Sequence, residues 1–405
     1  MRSETTAEVE LGPADLKLLP LSEVETRQAI LNDLESADMD ERSSRIDPAH
    51  VNTFRWIFEP PQNTGSRPAD TPPWSNFVSW LEQEDASKIY WITGKPGSGK
   101  STLMKYIADS GRLERHLERW ANGQPLRVAV FYAWNAGTDE QHSETGLLKS
   151  LLYQYLKQMP ELIPTVCPRR WDLYRISGTG RERGTLPDWD ETELRQAFDT
   201  LLPLAPQKNQ KLALLIDGLD EFRSRNEFQS LLSFAEAVWS KGGAKVCTSS
   251  REWSVFANYF RMHPSLRIQD LTRNDTERYI YNRLGESVAY AELKASHSED
   301  VDKLVTSLLD RASGVFLWVR IVTDVVLSGM DAGQTVNELN AKVKKLPLGL
   351  SKLYQGIWNG LDPEDQTNVA RMLRILEVSL FPLDATTLFA AEQLDAAEEL
   401  KQWAN

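Results

Sequence analysis

The chain has 405 residues, of which 41% are hydrophobic and 26% are charged, values that are ordinary for a globular protein and speak against wholesale disorder. This length exceeds what a single hydrophobic core usually supports, so we expect two or three packed domains. The formal net charge of −12 provides no overall basic field, which argues against nucleic acid as a partner.

The cysteines and the apolar segments bear on the cellular compartment. Cys167 and Cys247 are too few for a disulfide framework or a cysteine metal site, which fits a reducing, cytoplasmic location. The first residues lack the apolar core of a secretory signal. The most apolar stretch, Val315 to Leu327, is short and contains Arg320 and Asp324, so it predicts a buried helix and no integral membrane segment.

Residues 1–73 are predicted to form an N-terminal helical segment and a linker. Acidic clusters alternate with short apolar groups in its first part, which suggests a loosely held helix ending near Arg45. The run between Glu59 and Pro73 is rich in proline and small polar residues, which is typical of a loop.

Residues 74–270 have the pattern of an α/β domain. Four apolar runs bounded by polar residues predict strands, with helical periodicity between them: Lys88–Thr93, Val128–Trp134, Leu212–Ile216 and Ala244–Thr248. Strands that alternate with helices imply a mostly parallel sheet covered on both faces, hence a three-layer fold.

Helices are expected to dominate the rest of the chain. Amphipathic runs at Val301–Leu309 and Val315–Leu327 predict an all-helical domain over 271–346. Residues 347–405 continue with helical runs and a Phe-Pro-Leu segment beginning at Phe381, which suggests a winged-helix-like domain that the chain end cuts short.

The segment GKPGSGKS, which begins at Gly94, has the spacing of a phosphate-binding P-loop. Glycines let backbone N–H groups wrap phosphates, and the following helix presents its N-terminus to an anion. Lys100 is expected to contact the β- and γ-phosphates, and the Ser101 hydroxyl to ligate Mg²⁺. The predicted nucleotide-binding residues are Gly94, Lys95, Pro96, Gly97, Ser98, Gly99, Lys100, Ser101 and Thr102.

A second signal is the run LALLIDGLDEF, in which an apolar strand ends at Asp217. An aspartate at that place is expected to hold Mg²⁺, usually through water. Glu221 or Asp220 would then orient or deprotonate the attacking water. A strand followed by an acidic turn is common, so this interpretation depends on the P-loop.

The third signal is Arg251, which follows the apolar strand of AKVCTSSRE. A strand-end arginine on the same sheet edge can contact the γ-phosphate and distinguish tri- from diphosphate. The alternative is a surface arginine paired with Glu252.

With these motifs in place, the sequence resembles fungal NACHT proteins of the STAND class of signalling NTPases, whose N-terminal part is described as nephrocystin-like. The resemblance covers the chain from about residue 28 to its end. It is carried, in the family's order, by TFRWIF, WITGKPGSGKSTLMKYI, FYAWNAGTDEQHSETGLLKSLLYQYL, LLIDGLDEF, KVCTSSRE, DLTRNDTERYI, SGVFLWVRIV and LPLGLSKLYQGIW.

The resemblance implies an ATP- or GTP-binding core, a helical domain and a winged helix that lock a diphosphate-bound resting state. Triphosphate would favour an open state that forms homo-oligomers, and fungal members are linked to non-self recognition, heterokaryon incompatibility and programmed cell death. Phe316 stands where related proteins have a proline against the base. The chain also ends at Asn405, before the C-terminal repeats usual in the family, so either it is a fragment or it lacks that sensor.

Three functions compete: a slow switch ATPase, a turnover enzyme such as a P-loop kinase, and a nucleotide-binding scaffold. The 117 residues from Lys100 to Asp217 leave room for an additional strand and helices, whereas small-molecule kinases are more compact and carry arginine-rich lids. A scaffold that binds no nucleotide predicts decay of Lys100, Ser101, Asp217 or Glu221, and all four are intact. No Asn-Lys-x-Asp run follows the P-loop, so ATP is favoured over GTP.

Overall fold

The computed structural model describes residues 21–36, 38–61, 74–84, 89–177, 187–223, 225–379 and 383–388. Its centre is a five-stranded, all-parallel sheet in the order β2-β3-β4-β1-β5. Four strands were predicted within a few residues, whereas the short fifth strand was not. The strands are β1 Tyr90–Thr93, β2 Leu126–Tyr132, β3 Lys211–Asp217, β4 Lys245–Ser250 and β5 Ser265–Arg267.

Helices cover both faces of this sheet, which confirms the three-layer α/β fold. One buried cluster joins the sheet to α1, α6, α9 and α10, and the other joins it to α3, α4 and α5. The helices of this part are α1 Glu23–Leu34, α2 Glu41–Arg45, α3 Phe77–Glu82, α4 Lys100–Asp109, α5 Arg112–Ala121, α6 Glu144–Gln158, α7 Ile163–Val166, α8 Pro168–Ser177, α9 Glu191–Gln207, α10 Arg225–Gly242 and α11 Ser254–Tyr259.

A helical region follows the sheet, as predicted, and has its own buried cluster around Trp318. Its helices are α12 Arg273–Gly285, α13 Val288–Ser296, α14 Ser298–Ala312, α15 Phe316–Asp331, α16 Val336–Lys345, α17 Leu350–Gly360 and α18 Pro363–Val378. Among the described residues, every helix is too short or too polar to cross a membrane. Phe381 and residues 389–405 lie outside the described part, so the winged helix stays a prediction.

The N-terminal segment differs in one respect from the expectation. The region up to Arg45 forms two helices, α1 and α2, separated by a turn at residues 38–40. A capping box between Ser22 and Glu25 begins α1. Ile30 and Leu34 are fully buried in the core against the sheet, so this segment is packed and not loosely held.

Residues 46–58 connect the sheet to the helical region. Ile57 is buried in the core beside β1. Asp275 of α12 accepts hydrogen bonds on Oδ2 from the Phe54 backbone N–H at 2.9 Å and from Trp56 Nε1 at 2.8 Å. Phe54 has φ = 61°, a left-handed conformation that is unfavourable for a bulky residue. These two hydrogen bonds hold that conformation in place.

We predict that Asp275→Ala lowers the free energy of unfolding by about 2–4 kcal/mol, because the buried Phe54 N–H and the partly buried Trp56 Nε1 lose a charged acceptor. Chemical denaturation followed by circular dichroism measures this. Asp310→Ala is the matched control, since Asp310 forms an exposed pair with Arg273 and such pairs contribute at most about 1 kcal/mol. Equal small losses in both variants would contradict the role of Asp275.

Candidate nucleotide-binding site

The P-loop connects β1 to α4 at the carboxyl edge of the sheet. Gly97 has φ = 69° and Gly99 has φ = 94°, which L side chains rarely adopt. A β-carbon at Gly94 would lie 2.4 Å from Ile268 Cγ2, so that position has no room for a side chain. The loop ends at the first turn of α4, whose backbone N–H groups have no partner within the helix. Such a turn binds an anion.

Lys100 is the first residue of α4, and its side chain folds back over the loop. Its Nζ donates to the carbonyl oxygens of Gly94 at 3.0 Å and of Lys95 at 3.2 Å. Burial lowers the pKa of Lys100, while the carboxylates of Asp220 and Asp217 oppose that shift. An anion in the loop would therefore meet a desolvated ammonium group.

Asp217 ends β3 and is only 1% exposed. Ser249 on the neighbouring strand β4 donates its hydroxyl to Asp217 Oδ1 and accepts the Gly218 N–H at 3.0 Å. The other oxygen, Oδ2, is buried and makes no hydrogen bond of ordinary length to the described residues. Burial raises the pKa of Asp217, and the nearby hydroxyls of Ser101 and Ser249 lower it.

These donors fit a magnesium ion. Mg²⁺ prefers oxygen ligands and is usually held by one or two protein groups together with phosphates and water. The Asp217 carboxylate and the Ser101 hydroxyl are oxygen ligands close to each other and to the P-loop. They are the two residues that the sequence predicts for the metal.

Asp220 and Glu221 follow Asp217 in a short 3-10 turn, and they have different partners. Asp220 accepts from the Arg251 backbone N–H at 2.8 Å and pairs with Arg251 Nε at 2.9 Å. Glu221 accepts one hydrogen bond from the described residues, from the Asn135 backbone N–H at 3.2 Å. Burial and the charge of Asp217 raise the pKa of Glu221. Glu221 is therefore the better placed of the two to accept a proton from water.

Arg251 lies just beyond β4, and its side chain is 43% exposed. Its ion-pair partner is Asp220, whereas Glu252 pairs with Arg267 at 3.1 Å. Arg251 and Glu252 therefore do not form the alternative surface pair. Asp220 holds Arg251 at the edge of the phosphate site.

A cavity of about 810 Å³ surrounds these groups, within the size range of ligand pockets. Three parts of the chain line it. The sheet edge contributes the P-loop from Pro96 to Thr102, Asp217, Asp220, Glu221 and Arg251; the N-terminal segment contributes Arg42 and residues 47–51, 53 and 54; and the helical region contributes Thr272, Asp275, Thr276, Tyr279, Arg283, Phe316, Leu317, Arg320 and Asp324.

Aromatic rings form one wall of the cavity. Phe316 contacts Tyr279 edge to face with 4.8 Å between ring centroids. Tyr279 in turn contacts His50 edge to face at 5.4 Å. Aromatic side chains of this kind can receive a flat ring.

The helical region closes directly on the P-loop. The Leu317 N–H, in the first turn of α15, donates to the Gly97 carbonyl at 2.9 Å. Lys95 does not line the cavity, and its Nζ instead donates to the Ser313 carbonyl at 3.0 Å. A β-carbon at Gly97 would lie 2.9 Å from Leu317 Cβ. The loop and α15 therefore share one tightly packed boundary.

Two groups of functional interest were missed in the sequence. Ser249 stands two residues before Arg251, and a buried hydroxyl on the strand beside Asp217 was a usable signal. Arg42 and the residues around His50 reach the cavity only through the folding of the N-terminal segment. No local motif marks them.

The glycine loop on a helix N-terminus and the buried Asp217 at a strand end define a P-loop NTPase. Residues 74–251 match the family described as Nephrocystin 3, N-terminal. The chain is 24% identical over 288 residues to "Vegetative incompatibility protein HET-E-1" of Podospora anserina, across 69% of this chain and 19% of that protein. The resemblance to NACHT proteins of the STAND class is thereby confirmed.

Two solved structures are also similar. A chain in the structure of Drosophila ORC bound to DNA has 13% identity and a TM-score of 0.41, covering 98% of this chain and 83% of that one. The Aeropyrum pernix ORC2 protein has 14% identity and a TM-score of 0.33, covering 86% and 84%. Both scores are below 0.5.

We predict that Lys100→Ala weakens nucleoside triphosphate binding by roughly a hundredfold or more, because the phosphates lose their desolvated cation. Isothermal titration calorimetry with Mg²⁺-ATP measures this. Lys95→Ala is the matched control from the same loop: its backbone N–H remains and its side chain points outside the cavity. Unchanged affinity in Lys100→Ala would refute the P-loop assignment.

Proposed function

We propose that this protein is an ATP-binding, signal-transducing switch NTPase of the NACHT/STAND type. It binds ATP with Mg²⁺ and hydrolyses ATP slowly, and the bound nucleotide sets its conformation and its assembly into homo-oligomers in the cytoplasm. The process served is fungal non-self recognition or programmed cell death, on the strength of the similarity to a vegetative incompatibility protein.

The hydrogen bond from the Leu317 N–H to the Gly97 carbonyl is the observation that carries this proposal. It joins the phosphate loop to the helical region, so a ligand in the loop acts on the position of α15. A ligand shifts a conformational equilibrium only by its differential affinity for the two states. A contact that exists in one position of α15 and not in another provides such a difference.

The residues of the site have separate roles in the proposed reaction. The P-loop N–H groups and Lys100 bind the phosphates, and Ser101 and Asp217 hold Mg²⁺. Mg²⁺ supplies neutralisation of the charge that develops on the transferred phosphoryl group. Glu221 orients water and accepts its proton, which its raised pKa favours.

Arg251 is proposed to contact the γ-phosphate, held at the site edge by Asp220. A charge-assisted hydrogen bond contributes roughly 1.5–3 kcal/mol. Reversing a conformational equilibrium from 1:99 to 99:1 requires about 5.5 kcal/mol of differential affinity. Arg251 therefore shifts the conformational equilibrium but cannot reverse it alone. Further contacts of the triphosphate with other parts of the chain are needed.

The switch is tested by the oligomeric state in two nucleotide conditions. Multi-angle light scattering should show monomer with ADP and a larger species with a non-hydrolysable ATP analogue and Mg²⁺. A P-loop kinase would instead remain the same size and transfer phosphate to a second substrate. A nucleotide-binding scaffold would have the same mass in both conditions and no hydrolysis, and either result would refute the switch.

We predict that Glu221→Gln preserves Mg²⁺-ATP affinity within about threefold and slows hydrolysis by roughly 10²–10⁴-fold, the usual contribution of general base catalysis. Single-turnover hydrolysis measures the rate. Asp220→Asn is the matched comparison, because both oxygens of Asp220 contact Arg251. A slower rate in Asp220→Asn than in Glu221→Gln would move the base role to Asp220.

A further inference from the structure

Arg42 lies on α2, well before the P-loop in sequence, yet it lines the same cavity as Lys100 and Asp217. α2 is tied to the P-loop helix: Lys105 of α4 donates Nζ to the Ser43 carbonyl at 2.6 Å and to the Ile46 carbonyl at 3.1 Å. The position of Arg42 is therefore fixed relative to the phosphate loop.

A neighbouring cavity shows at which end of the nucleotide cavity Arg42 lies. This second cavity has a volume of about 490 Å³ and includes Trp134 in its lining. Four residues line both cavities: Arg42, Asp220, Glu221 and Arg251. Arg42 thus stands with the acidic residues at the γ-phosphate end, away from the aromatic wall.

The guanidinium group of Arg42 has no charged partner in the described part of the chain. Its Nε is buried and makes no hydrogen bond there, and its Cζ lies 5.4 Å from the centroid of the Trp134 ring. The other arginines of the cavity wall are paired: Arg251 with Asp220, Arg283 with Glu286 and Asp324, and Arg320 with Asp47.

The charge of Arg42 acts on the carboxylates of the site. Burial raises the pKa of Asp217 and of Glu221, and Arg42 is among the charges that lower it again. A cation that is half-buried, lacks an anionic partner and faces the phosphate end is placed for a phosphate oxygen, which guanidinium groups bind well.

We propose that Arg42 binds the terminal phosphate of the nucleoside triphosphate, so that the N-terminal segment reads directly whether that phosphate is present. This inference rests on the proposed function and adds a contact to it. Arg251 alone is insufficient for the switch, and Arg42 supplies a second differential contact from a different part of the chain. Loss of the terminal phosphate would leave Arg42 without this contact.

A structural role makes a different prediction. If Arg42 only balances the buried charges of Asp217 and Glu221, its removal destabilises the protein and weakens ATP and ADP binding alike. A phosphate contact affects the triphosphate alone. The ratio of the two affinities therefore separates the roles.

The test compares Arg42→Ala, Arg42→Lys and Arg45→Ala with the wild type. Arg45 is the matched control: it belongs to the same helix, lies 5.2 Å from the same Trp134 ring and pairs with Glu41 at 2.7 Å, but it does not line the cavity. Calorimetric titration uses ADP and a non-hydrolysable ATP analogue, each with Mg²⁺. Thermal unfolding of the nucleotide-free proteins reports stability.

We expect Arg42→Ala to lose about ten- to a hundredfold in affinity for the ATP analogue, which corresponds to about 1.4–2.8 kcal/mol, and to bind ADP within about threefold of the wild type. Arg42→Lys should recover part of the loss, and Arg45→Ala should bind both nucleotides like the wild type. An equal loss for both nucleotides, or none, overturns the proposal.

The outcomes for Arg42 and for the proposed function are distinguishable. If the wild type binds the ATP analogue but keeps the same mass with either nucleotide, the switch is refuted and the Arg42 contact is still decided by the titrations. If the wild type binds neither nucleotide, both are overturned. A lower unfolding temperature of Arg42→Ala with an unchanged ratio of affinities assigns Arg42 to the fold.

Discussion

The contact between the Gly97 carbonyl and the Leu317 N–H is the constraint on which the rest of the site depends. Gly97 satisfies two demands, a left-handed backbone and a surface without a β-carbon, because Leu317 and Leu350 occupy the adjacent space. The shape of the phosphate loop and the position of α15 therefore depend on each other. A phosphate that changes the shape of the loop also strains the packing of α15.

The charges of the site form a second, incomplete arrangement. Among the described residues, Arg42 Nε is buried without a hydrogen bond, the buried Asp217 carboxylate lies beside the Ser101 hydroxyl, and Lys100 has a desolvated ammonium group that contacts carbonyl oxygens. Buried polar groups that lack partners are costly. A phosphate chain with Mg²⁺ provides anions for the cations and a cation for the carboxylate. The ligand would complete a network that the protein alone leaves open.

The sequence predicted what local patterns determine. The P-loop, the strand ending in Asp217 and the helical region each follow from residues close together in the chain. The sequence did not predict contacts between residues far apart in the chain. Asp220 pairs with Arg251 because the ends of β3 and β4 lie side by side, and no residue near Arg251 in the sequence indicates this pair. The strand Ser265–Arg267 was missed because three residues show no periodicity.

The N-terminal segment contacts three elements of the site: the phosphate loop, α12 and α15. A β-carbon at Gly99 would lie 3.5 Å from the Phe54 ring, so Phe54 lies over the phosphate loop. Its backbone is bonded to Asp275 of α12, and Asp47 pairs with Arg320 of α15 at 2.8 Å. Asp275 is buried and Arg320 is exposed, so the first contact is costly to break and the second is weak. The N-terminal segment is therefore held more firmly to α12 than to α15.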